Sequence, residues 1–307
     1  MIRYNPKSWF DVLFGIVRSG VFRTLFLDMV GVGLYAAVVV WLERDVGRIP
    51  QPFGIPALSL FGIILGLSLV FRTNTAYDRW WEGRRLWGQM VNTSRAFSRQ
   101  LHAQLPEAMS ERRRHYARLL CAFPPALAEH LREPRGKGRA QVGDAIDSSA
   151  QQQADQVLQE AEELLVGARH RPGRLIGMMV SSVHQDVREG NLRDHAAISL
   201  VPLLTVFDDV MGACERIRNT PIPFGYSAYI KQFVLLFALI SPFAMAPDFG
   251  YGTVLATMLF FFSTMGLELL ATEIEDPFGF DPNDLPLAEI SKRIHADVNE
   301  TLVPAAD

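Results

Sequence analysis

The residues of this chain best equipped for chemistry are acids. Glu273, Glu275 and Asp276 are followed closely by Asp281 and Asp284. Clustered carboxylates suit a hard cation, which prefers several oxygen ligands, and the same spacing suits a solvated turn. Asp28 and Glu268 lie in or beside apolar stretches, where an ionisable group is costly and is a functional candidate by default. Their places near the ends of those stretches favour salt bridges to basic neighbours. Patterns for catalysis are missing from the sequence. The seven His are scattered without an HExxH-type pair, and neither a phosphate-cradling Gly loop nor a Ser nucleophile elbow occurs. Cys121 and Cys214 have no metal-ligand spacing, and both fall in the expected cytosolic part, where no disulfide is expected. An enzyme is not the expectation, and a net charge of −3 points to no nucleic-acid partner.

The more informative spacing lies between Pro56 and Phe97. An uncharged run, Pro56 to Phe71, passes into Arg72-Thr-Asn-Thr-Ala-Tyr-Asp-Arg-Trp-Trp-Glu-Gly-Arg-Arg-Leu-Trp with no Pro between them. Gly83 and Gly88 interrupt, and neither ends a helix alone. Ile63, Leu67 and Phe71 recur every four residues and form one stripe, while Ser59, Gly62 and Gly66 form another. Small residues let a neighbouring helix approach closely. The bulky stripe spans about 12 Å of helix. Placed around a symmetry axis it makes a hydrophobic constriction that gates by dewetting; ordinary lipid or core packing gives the same spacing. In the charged half, Arg79 and Glu82 are three apart and can pair along the helix. Tyr77, Trp80, Trp81 and Trp87 also fit a membrane-interface belt.

Charges crowd into residues 72–232, and four blocks are nearly free of them: Leu25–Leu42, Phe53–Phe71, Phe233–Pro247 and Val254–Leu270. About 20 apolar residues cross a bilayer as a helix, so these are read as four transmembrane helices, the third either lengthened by Tyr229–Gln232 or kinked at Pro242. All but Arg44 and Arg48 of the 30 Lys and Arg lie outside the two short outer connections. Both termini and the central region are therefore expected in the cytosol, and no cleaved signal peptide is expected. Trp9, Phe10, Leu13, Phe14 and Val17 predict a short amphipathic helix. Helices are expected at Glu107–Ala128, Ala150–Val166, Leu175–Val187, Asp194–Arg218 and Leu287–Asn299, with strand-like alternation weak throughout. The expected class is all-α, a polytopic membrane protein with a helical cytosolic domain. Its segments are 1–24 (N-terminal helix), 25–71 (two spans), 72–228 (cytosolic domain), 229–272 (two spans) and 273–307 (acidic turn and helix).

Three motifs carry a resemblance: Phe71-Arg-Thr-Asn-Thr-Ala-Tyr-Asp-Arg-Trp-Trp-Glu-Gly-Arg, Glu215-Arg-Ile-Arg-Asn-Thr-Pro-Ile-Pro-Phe-Gly-Tyr, and Glu273-Ile-Glu-Asp-Pro-Phe-Gly with Asn283-Asp-Leu-Pro-Leu. The chain resembles the bestrophins, in particular their bacterial branch. The resemblance implies a homopentameric ion channel in a bacterial inner membrane, with the second helix lining the pore. It puts the neck at Ile63, Leu67 and Phe71, with Ser59, Gly62 and Gly66 packing behind. It puts a structural motif at Arg72, Asn74, Asp78, Arg79, Trp80, Trp81 and Glu82. It also implies a cytosolic constriction from one apolar helix residue, assigned to Met179 with Met178 and Val180 as rivals. Animal members clasp calcium in an acidic run; here Phe280, Pro282 and Asn283 replace three of its acids. Asp281 and Asp284 remain the metal candidates, and calcium dependence is not carried over; no other cofactor is implied. The implied partners are further copies of the chain, the bilayer and permeant monovalent ions. The bacterial branch and the mild acidity favour cations, with anion conduction as the alternative and a non-conducting membrane scaffold as the alternative of another kind.

Overall fold

The computed structural model describes residues 20–47, 54–132, 148–281 and 283–303. The helix expected around Trp9, the basic loop after Arg132 and much of the turn before Pro56 lie outside them. Among the described residues the structure is helical and without strands. Helix α1 (Gly20–Trp41) runs on through a π-helical turn, Leu42–Val46. There follow α2 (Ile55–Gln104), a 3₁₀ turn (Glu107–Met109), α3 (Ser110–Arg132), α4 (Ser148–Leu165), α5 (Arg171–Arg188), α6 (Asp194–Asn219), α7 (Phe224–Phe249), α8 (Gly252–Ile274) and α9 (Leu287–Leu302).

The 50-residue length of α2 follows from where its prolines are. Pro56 occupies the first turn, where its missing N–H costs nothing. The next proline is Pro106, and the helix stops just before it. Pro242 and Pro247 lie inside α7 without ending it. A bilayer-spanning helix tolerates such residues when neighbouring groups satisfy the freed carbonyls.

The chain divides into two compact units. One holds residues 20–79 and 221–275, the other 80–220 and 276–303 of the described residues. The divisions fall at 79/80, 220/221 and 275/276.

In the apolar unit, α1 packs on α8 and α7, and α7 on α8. Gly33 permits a close approach of α1 to α8: a Cβ there would stand 2.7 Å from Met258 Sδ. Small residues at such crossings substitute dispersion contact for the hydrophobic drive that lipid removes. The core is Leu25, Leu58, Leu65, Leu69, Ile230, Val234, Phe237 and Phe261 with their neighbours.

In the other unit, α3 packs on α5, α4 and α9, and α5 on α6. Its core includes Trp87, Phe97, Tyr116, Phe123, Phe207 and Phe278. Phe123 and Phe207 meet edge to face at 5.1 Å, an arrangement worth about 0.5–1.5 kcal/mol beyond area burial. Five helices among the described residues are long and apolar enough to cross a membrane: α1, α2, α6, α7 and α8. Four coincide with the expected spans. The fifth, α6, buries Ala196, Leu200, Leu204, Phe207, Val210, Cys214 and Ile217 as one stripe in the second unit's core.

Candidate pore-lining site

Helix α2 presents two distinct faces in the apolar unit. Leu58, Leu65, Leu69, Arg72 and Ala76 are buried. Ile63, Leu67 and Phe71 face away from the protomer, at 69%, 56% and 58% exposed, together with Leu60, Ile64 and Val70. The sequence-predicted stripe is therefore free to meet lipid, a further copy of the chain or a pore. The small-residue stripe has little cover within the chain. Gly62 alone touches a neighbour, with its built Cβ 3.5 Å from Phe237; Gly66 has no atom within 4 Å and Ser59 is exposed. Along the same stretch, the hydroxyls of Ser59, Ser68, Thr73 and Thr75 each donate to the carbonyl four residues back, at 2.8–2.9 Å.

Arg72 anchors the end of the apolar run. It is 1% exposed, and its Nη2 lies 2.7 Å from Glu275 Oε2 and 3.5 Å from Thr272 Oγ1. Fully buried Glu268 approaches it at 3.9 Å and Lys231 at 3.8 Å, which realises the salt-bridge reading of Glu268. Asp28, by contrast, is exposed on α1. Glu275 also accepts from the Ile222 N–H at 2.8 Å, and its carbonyl accepts from Arg79 Nε at 3.0 Å. Its carboxylate thus engages a guanidinium through one oxygen and a backbone amide through the other.

The remaining motif residues belong to the second unit, except for the exposed Asn74 and Asp78. Trp80 Nε1 donates to the Asn283 carbonyl at 3.0 Å, and its ring stacks on Trp81 at 6.4 Å. Glu82 pairs with Arg216 at 3.0 Å on an exposed surface. Gly83 is buried against Phe278 and Leu285, where a Cβ would come within 3.2–3.3 Å of both. An open cavity of about 730 Å³ beside α2 is lined by Trp81, Arg84, Arg85, Gln89, Asn92 and Leu203 among others, so N–H donors dominate its polar wall.

Of the two metal candidates, Asp284 is buried and Asp281 half-buried. Asp284 Oδ2 accepts the N–H of Asp281 at 2.7 Å, closing its own turn. The positive charge near this turn is Arg132, which lies 4.2 Å over the Phe280 ring and donates to the Phe278 carbonyl. Burial pushes the Arg132 guanidinium down to about 10, against the opposing pull of Asp284 and Asp155.

Met179 requires a correction. It is fully buried in the core of the second unit, so it offers no surface to a conduit. The rivals Met178 and Val180 are half-buried at the edge of that core. Helical phase explains the difference: Leu175, Ile176, Met179 and Val183 form the inward stripe of α5.

Sequence reasoning missed two polar clusters whose members are far apart in the chain. One surrounds fully buried Asp186, which accepts from Tyr116 at 2.6 Å, Arg112 at 2.8 Å and Asn191 at 2.9 Å. Burial works to raise the Asp186 carboxyl, but these three donors outweigh it and hold it below its ordinary range. The other joins His130, His170 and Glu215. Cys121 and Cys214 are both buried, and burial pushes each thiol up to about 12, which leaves them protonated and inert.

Residues 1–300 match the family model described as Bacterial/Fungal Bestrophin protein. A protein of Nostoc sp. named as a voltage-dependent anion channel-forming protein is 32% identical over 96% of this chain and 92% of its own length. One of the same name from Escherichia coli (strain K12) is 30% identical over 99% and 96%. The crystal structure of a bacterial bestrophin homologue from Klebsiella pneumoniae superposes with a TM-score of 0.77 at 26% identity, over 90% of this chain and 98% of that one. A match of this extent, in sequence and in fold, places the chain in the bacterial and fungal bestrophin family.

Proposed function

We propose that this chain is the subunit of a passive channel for small monovalent ions in a bacterial membrane, with α1, α2, α7 and α8 as its spans. The observation that carries this reading is the outward apolar stripe of α2, Ile63, Leu67 and Phe71, on a helix whose other face is locked into the apolar unit through Arg72. Several copies around an axis, five by the family resemblance, turn that stripe into a hydrophobic neck. Exposed Ser59 and Gly66 then allow an adjacent copy to approach closely. Helix α6 is assigned to the helical unit on the cytosolic side, because its apolar stripe is already covered there. A second narrow point falls to Met178 or Val180.

Anions are the favoured permeant class. The relatives from Nostoc sp. and Escherichia coli bear anion-channel names, and the cavity beside α2 offers Arg84 and Arg85 with amide donors. The acidic composition, which favours cations, is an average over the surface and says little about the conduit. Purified protein in liposomes tests both points. Ion flux under a salt gradient supports conduction, and its absence under every gradient rejects it. The reversal potential in asymmetric NaCl then gives the sign of the permeant ion.

A further inference from the structure

At one end of the second unit, three helices bring nitrogen and carboxylate donors together. His130 lies near the end of α3, His170 is the N-cap of α5, and Glu215 lies on α6. Both imidazole Nε2 atoms point at the same carboxylate oxygen, Glu215 Oε1, at 2.9 Å from His130 and 2.7 Å from His170. The rings stand 4.6 Å apart, and all three donor atoms lie within 4.8 Å of one another. No other group of three such side chains converges among the described residues.

We propose that His130, His170 and Glu215 form a binding site for a borderline divalent cation of the zinc class. Two imidazoles and one carboxylate suit zinc and its neighbours, whereas calcium and magnesium require mostly oxygen. Three protein ligands leave one tetrahedral position for water. The site is reachable, since the three side chains are 19%, 43% and 26% exposed. Zinc bonds of about 2.0–2.1 Å need donor atoms roughly 3.3–3.5 Å apart. The two Nε2–Oε1 contacts therefore have to open by about half an ångström, a rotamer-scale adjustment for half-buried side chains.

The helix cap gives this site a distinctive character. His170 Nδ1 accepts the N–H of Gly173 at 3.1 Å, which places the ring proton on Nε2, facing Glu215. A cation bound through Nε2 shifts that proton to Nδ1, where it meets the Gly173 N–H instead of accepting from it. Zinc binding and capping of α5 by His170 are thus mutually exclusive. The site competes with a local hydrogen bond, so it is a reversible, low-affinity site and not a permanent structural one. Occupancy would tie the ends of α3 and α6 to the start of α5 while loosening the first turn of α5.

The experiment is equilibrium dialysis of the purified full chain in detergent against ZnCl2, with bound metal counted by atomic absorption. Its outcome does not depend on whether the chain conducts. The expected result is one zinc more per chain in the wild type than in His170→Asn or Glu215→Gln, with affinity falling by at least about tenfold in each. His170→Asn is the decisive variant, because Asn caps helices well and removes only the metal-binding nitrogen. His195→Ala, at an exposed site elsewhere on α6, should bind as the wild type does. X-ray absorption of the zinc-loaded wild type should show two imidazole ligands, a readout that does not rely on any variant folding. Equal zinc uptake by the wild type and His170→Asn, absorption spectra without imidazole, or no uptake at all would overturn the proposal.

Discussion

Arg72 Nη2 and Glu275 Oε2 lie 2.7 Å apart although 203 positions separate them in sequence, and Arg72 is almost completely buried. The guanidinium sits one residue after Phe71, the last of the outward apolar stripe, and joins α2 to the residue capping α8. A buried charge of this kind is retained at a desolvation cost, so its value lies in holding a unique arrangement.

Replacing Arg72 with Ala leaves Glu268 and Glu275 facing one another without their shared cation. Breaking a buried pair from one side costs on the order of 3–5 kcal/mol. The expected outcome is loss of the monodisperse species in fluorescence-detected size exclusion, or a large fall in Tm. Arg72→Lys should recover part of it, since Lys keeps the charge and loses the fork. An R72A protein as stable as the wild type would show that the cluster holds nothing together.

Truncating Ile63, Leu67 and Phe71 to Ala acts on surface that the protomer does not bury. Such a triple variant should fold normally and pass ions faster, because a wider and less apolar neck wets more readily. Single-channel conductance in planar bilayers is the measurement. Unaltered conductance would remove these residues from the conduit and leave them to lipid.

Gly83→Ala should destabilise the chain even though Ala is the better helix former by about 1 kcal/mol. A Cβ at 83 would lie 3.2–3.3 Å from Phe278 and Leu285, both buried, and each side chain would have to give way inside a packed core. Thermal unfolding of G83A against wild type reads the sign. A gain in Tm would mean that this contact can relax.

Asp186 gives a pH dependence with a definite direction. Its carboxyl titrates lower in the folded protein than its ordinary value of 3.8. The stabilisation is therefore fully present above that value and is lost as pH falls through the folded pKa. Asp186→Asn keeps the shape but gives up the charge-assisted bonds to Arg112 and Tyr116. It should unfold more easily near neutral pH and show less acid sensitivity below pH 3.8 than the wild type. Circular dichroism melts across that range would decide it.

Local patterns in the sequence were enough to find most helices. The run from Pro56 past Arg99, free of interior proline, predicts one continuous helix, and α2 ends at Gln104. Four apolar blocks correspond to α1, α2, α7 and α8 because lipid-sized hydrophobic runs are a one-dimensional signal. The outward position of Ile63, Leu67 and Phe71 was legible as a stripe, but its exposure was not, since a stripe looks the same facing core or lipid. Met179 was within reach of the same periodicity: Leu175, Ile176, Met179 and Val183 share one helical stripe, and that stripe faces the core. The pairings of Arg72 with Glu275, Tyr116 with Asp186 and His130 with Glu215 had no local signature at all. Each partner is dozens to hundreds of positions away, and single-sequence periodicity carries no information over that range.

The back-bonded hydroxyls of α2 have a consequence for what the proposed neck would prefer. Ser59, Ser68, Thr73 and Thr75 point their protons at their own helix. In the proposed neck, an anion passing Ser59 and Thr75 would find no free O–H to replace a water of its hydration shell, and Ile, Leu and Phe offer none either. Shedding water there is uncompensated, so the toll rises with how tightly an ion holds its shell. Among anions, large and loosely hydrated ions should permeate ahead of small and strongly hydrated ones, an ordering set by the solvent rather than by any hydrogen-bond donor.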